Sequence, residues 1–125
     1  MITAFIDMEN KSKYLELGVT GHAGAGPEGH DLVCAGVSAL VEALVAAVER
    51  MDQSDILRSA PEVHLLKGFA SIQVSPKEEW MDAVLMVYWT IQNGIWMLAE
   101  QYPENIKMGR VLHVEQGEEG KEASA

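Results

Sequence analysis

Two long stripes of apolar residues, each with the period of a helix, constrain the fold more than any other feature of this sequence. The first stripe predicts a helix that begins at Asp31 and fades near Met51. The second predicts a helix that begins at the capping-box sequence Ser75-Pro76-Lys77-Glu78 and ends at Tyr102. The apolar positions of the two stripes are Val33, Val37, Leu40, Leu44, Val48 and Met51, and then Trp80, Val84, Val87, Ile91 and Leu98.

Pairs of short apolar runs precede both stripes. Residues 2–8 and 14–20 form one predicted hairpin, and residues 62–67 and 69–75 form a second around Gly68. Residues 106–114 are a candidate edge strand. The resulting ββαββα order predicts an α+β fold, in which an antiparallel sheet of four to five strands carries both long helices on one face.

Length and charge limit the class of protein. A chain of 125 residues fits one domain, which we place at residues 1–116, and we expect the acidic tail 117–125 to be disordered. The net charge of −10 disfavours direct binding to nucleic acid and favours a basic partner, such as a ribosomal protein. The amino terminus lacks the pattern of a secretion signal, and residues 83–98 are too short and too polar to span a membrane. We therefore expect a cytoplasmic protein that does not bind membranes.

The chain contains a single cysteine, Cys34, so no internal disulfide can form. His30, His64 and His113 do not have the spacing of metal ligands, and we expect neither a metal nor another cofactor. A thiol-based redox sensor is a weak alternative, because no second cysteine is present to resolve a sulfenic acid within the chain.

Residues 21–34 contain the candidate chemistry. Cys34 is the third residue after the predicted cap, Asp31, where unpaired N–H groups and the helix dipole favour a thiolate and can bind an oxyanion. His22 is the candidate base, because a loop can return from the preceding strand to the start of the helix. That loop contains four glycines, which permit movement and a close approach of substrate: Gly21, Gly24, Gly26 and Gly29.

A purely structural interpretation of these residues stays open on physical grounds. A lone cysteine near the start of a helix is more often a small buried residue than a nucleophile. Ser38, one turn after Cys34, can support a site or simply bond to the preceding turn. Asp31 can orient His22, although we favour its role as a helix cap.

The motifs themselves resemble the bacterial ribosomal-processing cysteine proteases. That family pairs a G-H-A-G motif, here residues 21–24, with a G-x-D-[IL]-V-C-A-x-V-S-x-L motif, here residues 29–40. The likeness extends over residues 1 to about 108. It implies that Cys34 is the nucleophile, that His22 transfers the proton, that Asp31 and Ser38 support the site, and that the glycine-rich loop gates access to substrate.

The resemblance also implies a partner and an assembly. Family members are homodimers that trim an N-terminal extension from the twenty-seventh protein of the large ribosomal subunit, cutting between an aromatic pair and a small residue. Two features depart from the pattern: residues 25–28 lack an aromatic residue, and the chain from Gly109 onward is longer than usual. Two alternatives follow, a prophage-type relative that cleaves capsid or scaffold proteins, and a non-catalytic module for peptide binding or assembly.

Overall fold

The computed structural model describes residues 1–9, 14–21 and 32–109, and these form one sheet covered by two helices. The two hairpins and two long helices predicted from the sequence are all present, and the α+β class is confirmed. The elements in chain order are β1 (Ile2–Glu9), β2 (Tyr14–Thr20), α1 (Leu32–Gln53), β3 (Glu62–Leu66), β4 (Phe69–Val74), a 3₁₀ turn (Glu78–Trp80), α2 (Met81–Gln101) and β5 (Ile106–Met108).

The strands lie in the order β3-β4-β2-β1-β5, and the sheet is mixed rather than wholly antiparallel. Neighbouring strands run antiparallel except β5, which lies parallel to β1 with Ile106 opposite Ile2. This corrects the antiparallel prediction. The reason is that α2 carries the chain back across the sheet, so the chain enters β5 at the end where β1 begins. Residues 110–114 of the predicted last strand, and the predicted tail 117–125, lie outside the described residues.

The second helix begins later than its capping-box sequence predicts. The carbonyl of Ser75 accepts the backbone N–H of Arg58 at 2.8 Å, and Pro76 forms a bridge with Leu57. The chain is therefore still extended at Ser75 and Pro76, and α2 starts only at Met81. Trp80, which the stripe placed in the core, is 42% exposed as a consequence.

The core lies between the two helices and one face of the sheet. Every second residue of the central strands points toward the helices. Both helices contribute buried side chains at steps of three and four residues. Two reciprocal contacts bring the helices close together, because Gly36 faces Leu98 and Gly94 faces Leu40. The buried residues include Ala4, Leu15, Leu17, Ile72 and Val74 from the sheet, and Val33, Val37, Leu44, Val48, Val84, Tyr88 and Ile95 from the helices.

By length and composition alone, α1 could cross a membrane, since its most apolar window has a mean hydropathy of 2.0. Core helices of soluble proteins meet the same test. Here one side of α1 is buried against the sheet and α2, whereas Ala35, Ala39, Ala43 and Ala46 are exposed on the other side. Much of the apolar character of α1 therefore lies on the outer surface of the molecule.

Candidate active site

Cys34 is the third residue of α1 and is half-buried. It packs against the edge of the core without being enclosed by it. In the first turn of a helix the aligned peptide dipoles place a partial positive charge. The thiol therefore lies at the positive end of a 22-residue helix, as the sequence predicts.

A cleft of about 330 Å³ opens beside Cys34. One wall is the side of α1, which contributes Cys34, Val37, Ser38, Val41 and Glu42. The opposite wall is the β3–β4 hairpin, residues 65–70, and the ends of β1 and β2 close the cleft with Ile2, Val19 and Gly21. The cleft thus lies directly beside Cys34.

Among the residues predicted from the sequence, the structure brings together Cys34, Ser38 and Gly21 in this cleft. Ser38 is exposed and lies one turn after Cys34 on the same wall. His22, Asp31, Gly24, Gly26 and Gly29 lie outside the described residues, so their roles stay predictions.

Gly21 fixes the point at which the chain leaves β2 for His22. Its N–H donates to the carbonyl of Gly68 at 2.9 Å, and its φ of +93° is in the region that favours glycine. A Cβ at this position would collide with the carbonyl oxygen of Met1. The rim of the cleft therefore anchors the residue that directly precedes the predicted base.

The β3–β4 hairpin is the part of the cleft that sequence reasoning missed. Leu65 is 50% exposed although its register turns it toward α1, and it pairs with the small residue Ala70. An exposed leucine on the helix-facing side of a strand is a signal of a binding surface, but the sequence shows only the alternation and not the exposure. Among the lining residues that the structure describes, Lys67 at the turn and Glu42 on α1 are the charged ones.

The chain is similar to known cysteine proteases. The model of the cysteine protease Prp family matches residues 1–107. The ribosomal processing cysteine protease Prp of Staphylococcus aureus is 26% identical over 108 residues, which are 86% of this chain and 97% of that protein.

Solved structures agree as well. A crystal structure of the S. aureus protease with a covalently linked product peptide superposes with a TM-score of 0.65 at 26% identity, covering 87% of this chain and 98% of that one. The same protease with a substrate peptide gives a TM-score of 0.62 at 25% identity and equal coverage. A Streptococcus mutans protein gives 0.59 at 28% identity, covering 86% of this chain and 91% of that one. The chain therefore belongs to the cysteine protease Prp family, and it is a cysteine endopeptidase.

Proposed function

We propose that Cys34 and His22 form the catalytic dyad and that the enzyme removes an N-terminal extension from a ribosomal protein, the twenty-seventh of the large subunit. The observation that carries the proposal is the position of Cys34, which lies both in the first turn of a long helix and in the lining of a cleft of about 330 Å³. The named activity of the S. aureus relative, ribosomal processing, supports the choice of substrate.

In the proposed mechanism, His22 takes the thiol proton and the Cys34 sulfur attacks the carbonyl carbon of the scissile peptide bond. The positive end of the α1 dipole stabilises the resulting oxyanion. Collapse of this intermediate breaks the C–N bond, and His22 protonates the departing amine. A water molecule, deprotonated by His22, then hydrolyses the acyl-enzyme and releases the trimmed extension.

The remaining site residues act on this dyad. We place Asp31 at the helix cap beside Cys34, and Ser38 one turn further along the same cleft wall. The glycines of residues 21–29 allow the loop to close over bound peptide.

The test is cleavage of a peptide that spans the junction between extension and mature protein. We expect the wild-type enzyme to cut it at one bond, and Cys34→Ala to reduce kcat/KM by at least about a thousandfold with an unchanged circular dichroism spectrum. Ser38→Ala is the matched control, since it also removes one polar atom from the same wall and should retain measurable turnover. Cleavage by Cys34→Ala at the wild-type rate would remove this residue from the mechanism.

Trapping the acyl-enzyme separates the protease from a peptide-binding module. Mass spectrometry of wild-type enzyme quenched during turnover should detect the extension joined to Cys34 through a thioester. A binding module would hold the peptide without any covalent adduct. A protein of the prophage type would instead leave the ribosomal junction intact and cut a capsid or scaffold sequence.

We also propose that the enzyme is a cytoplasmic homodimer. The outer side of α2 supports the assembly, because it exposes Trp89, Trp96, Met86 and Met97 in one stripe. The exposed alanines of α1 continue this surface and leave room for large side chains from a second copy.

A further inference from the structure

We infer that Glu42 is a specificity-determining residue that binds a lysine or arginine side chain of the substrate, three or four residues from the cleaved bond. This inference rests on the proposed function, because it places an extended peptide in the cleft beside Cys34. The structure contributes three observations: the place of Glu42 on the cleft wall, its lack of a partner among the described residues, and its separation from Cys34 along α1.

Glu42 and Lys67 are the charged residues among the described lining of the cleft, and they lie on opposite walls. Both are exposed. Within residues 1–9, 14–21 and 32–109, neither side chain forms an ion pair or a side-chain hydrogen bond. As far as the described part of the chain is concerned, the cleft therefore offers a carboxylate and an ammonium group to a ligand.

The distance follows from helix geometry. Glu42 is eight residues after Cys34 on α1, which is about 12 Å along the helix axis. An extended peptide advances about 3.3 Å per residue, so this distance corresponds to three or four substrate residues. Val37, Ser38 and Val41 line the wall between the two positions.

The carboxylate of Glu42 is better placed than the ammonium group of Lys67 to determine substrate specificity. Glu42 stands on a rigid helix in fixed register with Cys34, whereas Lys67 is a long side chain on a two-residue turn. The net charge of −10 attracts basic peptides as well. Lys67 repels a second positive charge at the hairpin, which confines a basic substrate residue to the Glu42 end of the cleft.

The experiment places one lysine at each position of an otherwise neutral junction peptide, with glutamine at the same position as the reference. We expect a lysine three or four residues from the cut to raise kcat/KM by about three- to fivefold over glutamine, and 0.5 M salt to reduce this ratio. Glu42→Gln should bring the ratio to one. Glu42→Lys should reverse the preference, so that glutamate at the same peptide position is cut faster than lysine.

Glu49→Gln is the matched control, because it makes the same change of charge at another exposed position of α1, away from the cleft. We expect it to keep the lysine preference. If Glu49→Gln reduced the lysine preference as much as Glu42→Gln does, the effect would come from the overall electrostatic field of the protein and the inference would be wrong. A lysine preference that survives in Glu42→Gln would contradict it as well.

Affinity measurements separate this inference from the proposed chemistry. In the Cys34→Ala background, fluorescence anisotropy of the labelled lysine and glutamine peptides reports binding without cleavage. A lysine preference that depends on Glu42 supports the inference even if Cys34 proves not to be the nucleophile. Equal affinities for the two peptides in Cys34→Ala, with or without Glu42, would contradict it.

Discussion

Tyr88 is a fully buried residue whose hydroxyl group donates to the carbonyl of Ile72 at 2.9 Å. Burial, together with the negative charge of Glu16, raises the pKa of Tyr88 above its ordinary value of 10. The folded protein therefore retains a phenol proton that the unfolded chain releases in alkali. The stability that follows from this retention is complete below pH 10 and is lost as the pH rises above it.

We expect Tyr88→Phe to lower the free energy of unfolding by about 1 kcal/mol at pH 8, because it removes one buried hydrogen bond. In the wild type the raised pKa costs about 1.4 kcal/mol by pH 11, and phenylalanine does not incur this loss. Urea unfolding at pH 8 and pH 11 should therefore show that the wild type has the larger free energy of unfolding at pH 8, and that this difference from Tyr88→Phe disappears near pH 11.

Tyr102→Phe is the control for this measurement. Tyr102 is 38% exposed at the end of α2, and its loss of a hydroxyl should change stability by less than about 0.5 kcal/mol at pH 8. A gap between wild type and Tyr88→Phe that stays constant from pH 8 to pH 11 would contradict the expected titration.

For single residues of the site, the sequence predicts those whose position follows from the pattern of their neighbours. It misses those that reach the site only through contacts with residues far away in the chain. The position of Cys34 in the first turn of a helix follows from the apolar stripe around it, and the structure agrees. Glu42 and Lys67 reach the same cleft only because α1 packs beside the β3–β4 hairpin. Nothing within a few residues of either one contains that information.

Between elements, glycines allow the two helices to lie close together. A Cβ on Gly94 would lie 2.9 Å from Cδ2 of Leu40, which is too close without movement of the leucine. Alanine is about 1 kcal/mol better than glycine inside a helix, whereas overpacking costs about 1–3 kcal/mol. The two effects oppose each other, and which one is larger depends on how far the Leu40 side chain can move.

We therefore expect Gly94→Ala to be neutral or to destabilise the protein by up to about 2 kcal/mol. In a Leu40→Ala background the space is free, and the same substitution should stabilise by up to about 1 kcal/mol. A double-mutant cycle on urea unfolding at one protein concentration measures this coupling. Equal effects of Gly94→Ala in both backgrounds would show that the leucine does not limit the approach of the helices.

The elements themselves are predictable where periodicity is strong. Both helices follow from apolar residues at steps of three and four, and the second hairpin follows from alternation at steps of two. The first hairpin follows from two short apolar runs separated by a polar segment. The start of α2 is not predictable in this way, because pairing of Ser75 and Pro76 with residues 57–58 overrides a good capping sequence. The parallel direction of β5 likewise depends on where α2 delivers the chain.

On the scale of the whole molecule, the helical layer has an inner side in the core and an outer side that is unusually apolar. Trp89 and Trp96 are 46% and 49% exposed, so they present roughly 240 Å² at about 250 Å² per tryptophan. With Met86 and Met97 the surface is as large as the biggest apolar patches of typical soluble monomers. A standard interface hides about 800 Å² per partner, which the addition of the α1 alanines brings within reach.

If this surface forms the proposed dimer interface, substitutions in it should change the mass of the protein in solution. Light scattering at micromolar concentration should give twice the chain mass of 13.7 kDa for the wild type, and Trp89→Glu should give a monomer, because it places a charge in the middle of the surface. Leu66→Glu is the matched control: Leu66 is 69% exposed, but its strand register directs it to the sheet face opposite the helices. It should remain a dimer. A wild-type mass of one chain, or a Trp89→Glu variant that still forms dimers, would mean that the exposed tryptophans do not bind a second copy.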